Sequence, residues 1–401
     1  MSSPPSDSRV SRRSFVAAGA TAASASRVLG ANDRVRLGII GTGGRGSYLM
    51  AMANKAGGHE WVAVSDAWDV RRRAAMKIIG ATVPDYADYR RLLDRKDIDG
   101  VIVATLDHLH SQLTVDACRA GKDVYVEKPM TSFPMQGHDM VRAVRETGRI
   151  VQVGVQQRSL AHFIEAKQRF FDSGLIGDVH MVRTIWNGNG GYLTPVPPGM
   201  ETKPAGLDWD ACLGWLPKIP WDPKRYFNRF AYWDFATGGQ TGGLFVHWVD
   251  VAHWFLNLKQ PSAAVALGGI YQYNDGRDTP DNVNGIVEYP QKVTVTFEAT
   301  ISDMIGAQSS DIVFLGTGGR LTIRRARYYF QPAKQNEHVG EITVPGGPEH
   351  VHMANWLDCI RTRKPPNADV VSGHYSAMSC HMMNMVYRQR SCIQWRKEWD
   401  A

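Results

Sequence analysis

The chain has 401 residues, 43% of them hydrophobic and 21% charged, with a formal net charge of +7. That length exceeds the roughly 250–300 residues one core usually serves, so two domains are expected in an ordinary globular composition. Part of the mild positive charge sits at Arg9, Arg12, Arg13 and Arg27. Arg71-Arg72-Arg73 reads as the polar side of a helix, and no basic stripe with interleaved aromatics marks a nucleic-acid surface.

At the N-terminus, Ser11-Arg12-Arg13-Ser14-Phe15 precedes the small apolar run Val16–Ala25, and Ala23-Ser24-Ala25 offers a cleavage site. Paired arginines before a weakly hydrophobic stretch read as a twin-arginine signal over residues 1–31. The expected location is the periplasm, with the twin-arginine export machinery as a partner. The run is too short and too alanine-rich to span a bilayer, and no later segment approaches 18 consecutive apolar residues. Five cysteines (Cys118, Cys212, Cys359, Cys380 and Cys392) show no metal-type spacing and read as free thiols.

From Val35 onward, strands and helices alternate. Strands are expected at Val35–Ile40, Glu60–Ser65, Gly100–Thr105, Asp123–Glu127 and Ile150–Val155. Helices are expected after Gly46, from about Val70, at Tyr89–Arg95, at His110–Ala120 and at Thr131–Gly148. Such alternation predicts a doubly wound parallel sheet, a Rossmann domain over residues 32–155. After Gln156 the pattern changes to a helix at Phe163–Ser173, a strand at Val179–Asn187 and an irregular stretch from Gly188 to Thr237. A helix at Gly243–Leu258 precedes strands near Ala264–Tyr273, Val283–Tyr289, Lys292–Ser302, Asp311–Gly316 and Arg320–Arg324. Helices at His352–Thr362 and Ser376–Arg390 close the chain. Residues 156–401 are thus expected to form an α+β domain with a largely antiparallel open sheet.

Gly41-x-Gly43-x-x-Gly46 follows a strand and opens a helix, the context that a dinucleotide fingerprint requires. The glycines permit a tight turn, approach of the pyrophosphate and close helix–strand packing, and the helix N-terminus offers free N–H groups. Asp66 ends the second strand, where a carboxylate binds ribose hydroxyls and repels a 2′-phosphate. NAD is therefore favoured, while the arginines after Asp66 leave NADP open.

Val124-Tyr125-Val126-Glu127-Lys128-Pro129 resembles the E-K-P signature of the Gfo/Idh/MocA oxidoreductases, and Ala104-Thr105-Leu106-Asp107-His108-Leu109-His110 resembles their T-P-[ND]-x-x-H turn. Val153–Arg158 and Ser173–Val179 are similar to the family's crossing between domains and its S-G-x-I-G-x-V turn. The resemblance implies that Lys128 reaches the nicotinamide and the reacting oxygen, with Glu127 and Pro129 fixing it. It also implies that Thr105 and His110 line the cofactor, and that Glu127 and Gln156 belong to its site. His247-Trp248-Val249-Asp250-Val251-Ala252-His253-Trp254 resembles the H-x-x-D-x-x-H-W helix, in which His247 matches the acid/base histidine. Four residues earlier stands Gly243, where the family's dehydrogenases carry an aspartate. Asp250, within about 60° of His247 on the helix, is a possible replacement for that carboxylate but reads first as structural, as does His253, and no metal is expected from their wide arc with His247.

The stretch between Trp186 and Phe235 carries Trp186, Trp209, Trp215, Trp221 and Trp233, with Arg225, Asn228 and Arg229 as candidates to bind sugar hydroxyls. Most of these tryptophans are expected to pack on their own domain, with one or two facing a sugar ring. The resemblance implies a nicotinamide-dependent oxidoreductase of a sugar or polyol, assembled as a homo-oligomer. Export without an external NAD supply points to a tightly held cofactor, and keeps open a redox-neutral glycosidase, lyase or epimerase. A non-catalytic cofactor-binding protein is the third reading, with Gly243 as its sign.

Overall fold

A computed structural model describes residues 34–188, 190–303, 309–334, 339–343 and 349–401. The expected leader and its cleavage site lie outside these residues. Val35–Ala401 forms one compact unit.

The first layer contains β1 (Val35–Ile40), α1 (Gly44–Ala56), β2 (His59–Ser65), α2 (Asp69–Ile79) and β3 (Asp85–Tyr86). It continues through α3 (Tyr89–Leu93), β4 (Gly100–Val103), α4 (His110–Arg119), β5 (Asp123–Val126), α5 (Pro134–Thr147) and β6 (Val151–Val153). The strands pair in parallel in the order β3-β2-β1-β4-β5-β6. This is the doubly wound order, and its crevice opens where the winding reverses between β1 and β4. Apolar runs such as Gly100–Val103 and Val124–Val126 are buried, because helices cover both faces of the sheet.

The second half follows with α6 (Ala161–Ala166), which continues into a π-helical turn at Lys167–Asp172, and then β7 (Val179–Asn187). Two short helices, α7 (Trp209–Leu213) and α8 (Pro223–Phe227), interrupt the stretch read as irregular. Next come α9 (Val246–Leu256), β8 (Ala263–Gly269), β9 (Asn282–Tyr289), β10 (Val293–Thr300), β11 (Ser309–Gly316), β12 (Gly319–Ile323), β13 (Arg327–Pro332) and β14 (Val339–Thr343). The chain closes with α10 (His350–Thr362), α11 (Val370–Gln389) and β15 (Ile393–Gln394). The second sheet runs β14-β13-β12-β11-β7-β10-β9-β8-β15 and is antiparallel except for the β7–β10 pair. β13, β14 and the short β3 and β15 have no counterpart in the sequence reading, being too short or too polar to show alternation.

Helix α10, counted by sequence with the second half, packs on α1 and β1 of the first sheet. Met353, Trp356, Leu357 and Ile360 form an apolar stripe that joins the core of Leu37, Ile39 and Tyr125. Periodicity identifies such a stripe without telling which sheet it covers. Among the described residues no helix is long and apolar enough to cross a membrane. Cys118, Cys212, Cys359 and Cys380 are buried free thiols, and Cys392 is exposed.

Arg158, just after β6, grips the fully buried Asp250 of α9 with two bonds of 2.8 and 2.9 Å. Ser376 of α11 donates to the same carboxylate. Asp250 thus ties the turn after the first sheet to two helices of the second layer. Asp250→Ala strands the Arg158 guanidinium in a nearly dry site and is expected to cost about 3–5 kcal/mol, read by chemical denaturation. A loss under 1 kcal/mol would mean that water reaches Arg158 freely.

Candidate active site

At the crevice, β1 turns into α1 through a loop that only glycine satisfies at two points. Gly41 has φ +90°, and a Cβ there would lie 2.6 Å from the Ala104 carbonyl oxygen. A Cβ on Gly46 would lie 2.0 Å from the Gly41 carbonyl oxygen, so this residue sets how closely helix and strand approach. Gly43 is different, since a Cβ there would meet only the Arg71 guanidinium at 3.1 Å. Helix α1 has neither a side-chain cap nor an acidic residue in its first turn, which leaves its N–H groups open to an anion.

Gly41 and Gly43 edge a cavity of about 1210 Å³. Single small-molecule pockets usually span roughly 300–1,000 Å³, so the space suits a dinucleotide and a second ligand together. Asp66 and Thr105 line it. The Asp66 carboxylate accepts from the Thr42 N–H (2.7 Å), the Thr42 hydroxyl (3.2 Å) and the Trp68 N–H (2.9 Å), so it braces the turn while bordering the cavity. Arg71 stacks between Trp68 and Tyr226, 5.6 and 4.9 Å from their rings. Buried His110 stands behind the wall, its ring nitrogens 2.8 Å from the Pro129 carbonyl and 3.3 Å from the Thr105 carbonyl.

The strand β5 delivers Glu127 and Lys128 at its carboxyl end, where the Lys128–Pro129 peptide is cis. Glu127 is buried and bonded to Arg45 of α1 at 2.7 Å, and Arg45 also reaches Glu349 at 3.3 Å. Burial alone would raise the Glu127 carboxyl, but the charges of Arg45 and Lys128 hold it below the usual range. Gln156 donates to Glu349 at 3.1 Å, and its own Oε1 is buried without a partner.

Lys128 Nζ donates to the Gly243 carbonyl at 2.7 Å. Gly243 lies in a π-helical turn, Thr241–Phe245, that leads into α9. Such wide turns recur at functional sites, and a carbonyl has a second lone pair to offer. Burial pushes the ammonium down to about 8, Glu127 and Asp107 pull against it, and Arg229 and Arg45 reinforce it. One turn on, buried His247 places Nδ1 3.2 Å from Gln157 Oε1 and stacks on Trp186 at 5.8 Å. With an amide oxygen as partner, Nδ1 carries the proton and Nε2 keeps its lone pair. Burial, then the charges of Lys128, Arg325 and Arg45, hold His247 well below 6.5 and so neutral.

Gln157 therefore occupies the orienting role for which an aspartate at position 243 would be the family's device. An added Cβ on Gly243 would come 3.2 Å from the Phe230 ring, which would have to give way. Asp250 is committed to Arg158, and His253 Nε2 to the Tyr289 hydroxyl at 2.7 Å, so both serve packing. Among the described residues no group of three His, Cys, Asp or Glu side chains could hold a metal ion. Of the five tryptophans, Trp215 lines the cavity and Trp186 backs His247. Trp209 and Trp221 pack together at 5.0 Å, and Trp233 stacks on Tyr387.

The residues fit NAD. The glycine loop and open helix N-terminus suit a pyrophosphate, and the Asp66 carboxylate at the cavity wall suits ribose hydroxyls. Arg45, Gln157 and Glu349 were not singled out by sequence. A buried carboxylate such as Glu127 needs a cation, but only the fold shows which arginine supplies it.

Residues 35–155 match the oxidoreductase family's NAD-binding Rossmann fold, and residues 218–322 match the GFO/IDH/MocA C-terminal domain. The two matches together cover more than half of the chain, which belongs to the Gfo/Idh/MocA oxidoreductase family and has its NAD-binding domain. Inositol 2-dehydrogenase of Salmonella paratyphi B is 27% identical over 225 residues, 56% of this chain and 55% of that protein. The chain thus spans about half the length of the curated relatives it matches first. The solved structure of levoglucosan dehydrogenase in complex with NADH and levoglucosan superposes with a TM-score of 0.71 at 18% identity, covering 90% of this chain and 99% of that one. Aldose-aldose oxidoreductase from Caulobacter crescentus gives 0.70 at 19% identity, covering 90% and 100%. At such identities the two structures are evidence of shared fold.

The loop separates two kinds of glycine. Gly46→Ala is expected to destabilise the fold by about 1–3 kcal/mol, because its Cβ has only rigid backbone to push against. Gly43→Val should melt near the parent temperature yet lose NAD binding in calorimetry. Undiminished NAD affinity in Gly43→Val would remove the loop from the cofactor site.

Proposed function

We propose that the chain oxidises a CH–OH group of a sugar or polyol with NAD(P), and that it holds this cofactor tightly. The carrying observation is that Lys128 bonds the carbonyl of Gly243, which lines the cavity, while a neutral His247 follows one helical turn on and feels the charge of Lys128. The cofactor, when bound, supplies the hydride acceptor. His247 takes the hydroxyl proton at Nε2, while Gln157 holds Nδ1 and fixes the ring. Lys128, as an ammonium, steadies negative charge growing on the substrate oxygen. Arg45 holds Glu127, and Glu127 accepts from the Lys128 backbone N–H at 3.1 Å, which fixes the start of the lysine side chain. Gly41, Gly43, Gly46, Asp66 and Thr105 cradle the dinucleotide, with Gln156 at its carboxamide and His110 bracing the wall. The inositol and levoglucosan dehydrogenases support a sugar or polyol as substrate. Exposed Val265, Leu267 and Ile286 on the second sheet support assembly into an oligomer.

Lys128→Met and His247→Ala should each lower kcat by about 10²-fold or more while NAD content stays unchanged. A neutral histidine and a charged lysine coexist below about 8. For oxidation, kcat/KM is therefore expected to pass through 6.5 without the limb of an ordinary histidine and to fall above about 8. A rise through that range instead would make Lys128 the base.

The twin-arginine leader favours a second reading, in which the hydride returns to the same or a second sugar and the cofactor never leaves. The aldose-aldose oxidoreductase relative supports it. On either reading the protein works in the periplasm with cofactor loaded before export. NAD is expected in near-equimolar amount in the supernatant of denatured protein purified from the periplasm. Cofactor-free periplasmic protein, active only with millimolar added NAD, would return free exchange of the cofactor to first place.

A further inference from the structure

We infer that the sugar taken by this site carries an anionic group, and that Arg229 receives it. The inference rests on the dehydrogenase reading above and adds the substrate's charge to it.

Arg229 lines the cavity at the start of a single 3₁₀ turn, Arg229–Ala231. A ladder of contacts places it beside the proposed chemistry. Lys128 bonds the Gly243 carbonyl at 2.7 Å, Gly243 lies under the Phe230 ring, and the Arg229 guanidinium sits 4.5 Å above that ring. The charge of Arg229 is felt at Lys128, which agrees with that placement.

No carboxylate answers Arg229. Among the described residues it makes no ion pair, and its Nε is buried without a hydrogen-bond partner. Glu127 and Glu349 are engaged by Arg45 and Asp250 by Arg158. The charge of Asp107 bears on Lys128, and among the described residues Asp107 makes no ion pair with Arg229. Arg325, exposed at its own surface, adds a second cation 4.7 Å above Trp186, whose ring stacks on His247. Arg229 is half-buried, and leaving its buried Nε without an acceptor carries a cost that a ligand would remove. A planar guanidinium bonds a carboxylate or phosphate through two parallel N–H donors, and one aromatic face already fixes its plane. A neutral sugar would leave the buried Nε of Arg229 without an anionic acceptor.

The test uses the NAD-loaded full chain and reads binding separately from turnover. Calorimetric titrations pair each anion with its neutral parent: D-glucuronate and D-glucose 6-phosphate with D-glucose, D-galacturonate with D-galactose. At least one anion is expected to bind about ten-fold or more tightly than its parent, with affinity falling as salt rises. Whether the uronate or the sugar phosphate wins identifies a carboxylate or a phosphate as the group recognised. Arg229→Gln should weaken the favoured anion by about 30-fold or more, change its neutral parent far less, and leave NAD affinity in place. Arg229→Lys should recover part of the loss, which shows that the folded loop is retained. Neutral sugars that bind as well as the anions and are oxidised would overturn this inference alone. So would a loss in Arg229→Gln shared equally by NAD and all sugars. Failure of every sugar to bind or react would overturn the dehydrogenase reading as well.

Discussion

The bond from Lys128 to the Gly243 carbonyl joins the carboxyl end of β5 to the turn that launches α9. Everything that defines the site is placed relative to it. Its lysine comes from the parallel sheet and its carbonyl from the second layer, so the proposed catalytic pair exists only while the two layers are held in register. The Arg158–Asp250–Ser376 clamp, one turn beyond His247 on the same helix, maintains that register. The Arg45–Glu127–Glu349 chain does the same from the cofactor side, tying α1, β5 and the start of α10. A buried charge network and a half-buried one thus flank the lysine–carbonyl contact.

The electrostatics follow from which charges those networks consume. Glu127 keeps its negative charge because Arg45 lies against it, and in doing so offsets part of the burial that depresses Lys128. His247 has an amide as its orienting partner, so nothing nearby rewards its protonation, and three surrounding cations oppose it. A carboxylate at position 243 would change both, giving the imidazole an anion and Lys128 a competing acceptor. Glycine there leaves the carbonyl as the lysine's anchor and the histidine as a neutral acceptor of protons. The sign and strength of the proposed chemistry therefore turn on one missing side chain and on Gln157.

Much of this was legible in the amino-acid order. Strands at Val35–Ile40 and Val179–Asn187, the glycine loop, the Glu127-Lys128-Pro129 turn and the His247 helix all depend on local constraints. Two-sided burial writes continuous apolar runs, a tight turn demands glycine, and a helix repeats every 3.6 residues. Such features need only near neighbours in the chain, and so they survive in one dimension. Helix position alone leaves Asp250, within about 60° of His247, as a possible orienting partner as well as a structural residue, and its bonds to Arg158 and Ser376 assign it to packing.

What only tertiary structure decided are the partnerships between distant residues. Gln157 finds His247 across 90 positions, Arg45 finds Glu349 across 304, and Lys128 finds Gly243 across 115. No periodicity or motif encodes these meetings, because they follow from how two sheets and the returning helix α10 pack. Trp186 and Trp209 look alike in sequence, yet one backs the histidine and the other fills a core. In sequence Arg229 stands beside Arg225 and Asn228 as a candidate for sugar hydroxyls, and only the fold shows that, among the described residues, it makes no ion pair. Charge pairing acts through space over a few ångströms, whereas sequence reports separation along the chain. The sequence alone therefore determined the sheet, the loop and the candidate reactive side chains, and the packing decided which of them are paired or neutral.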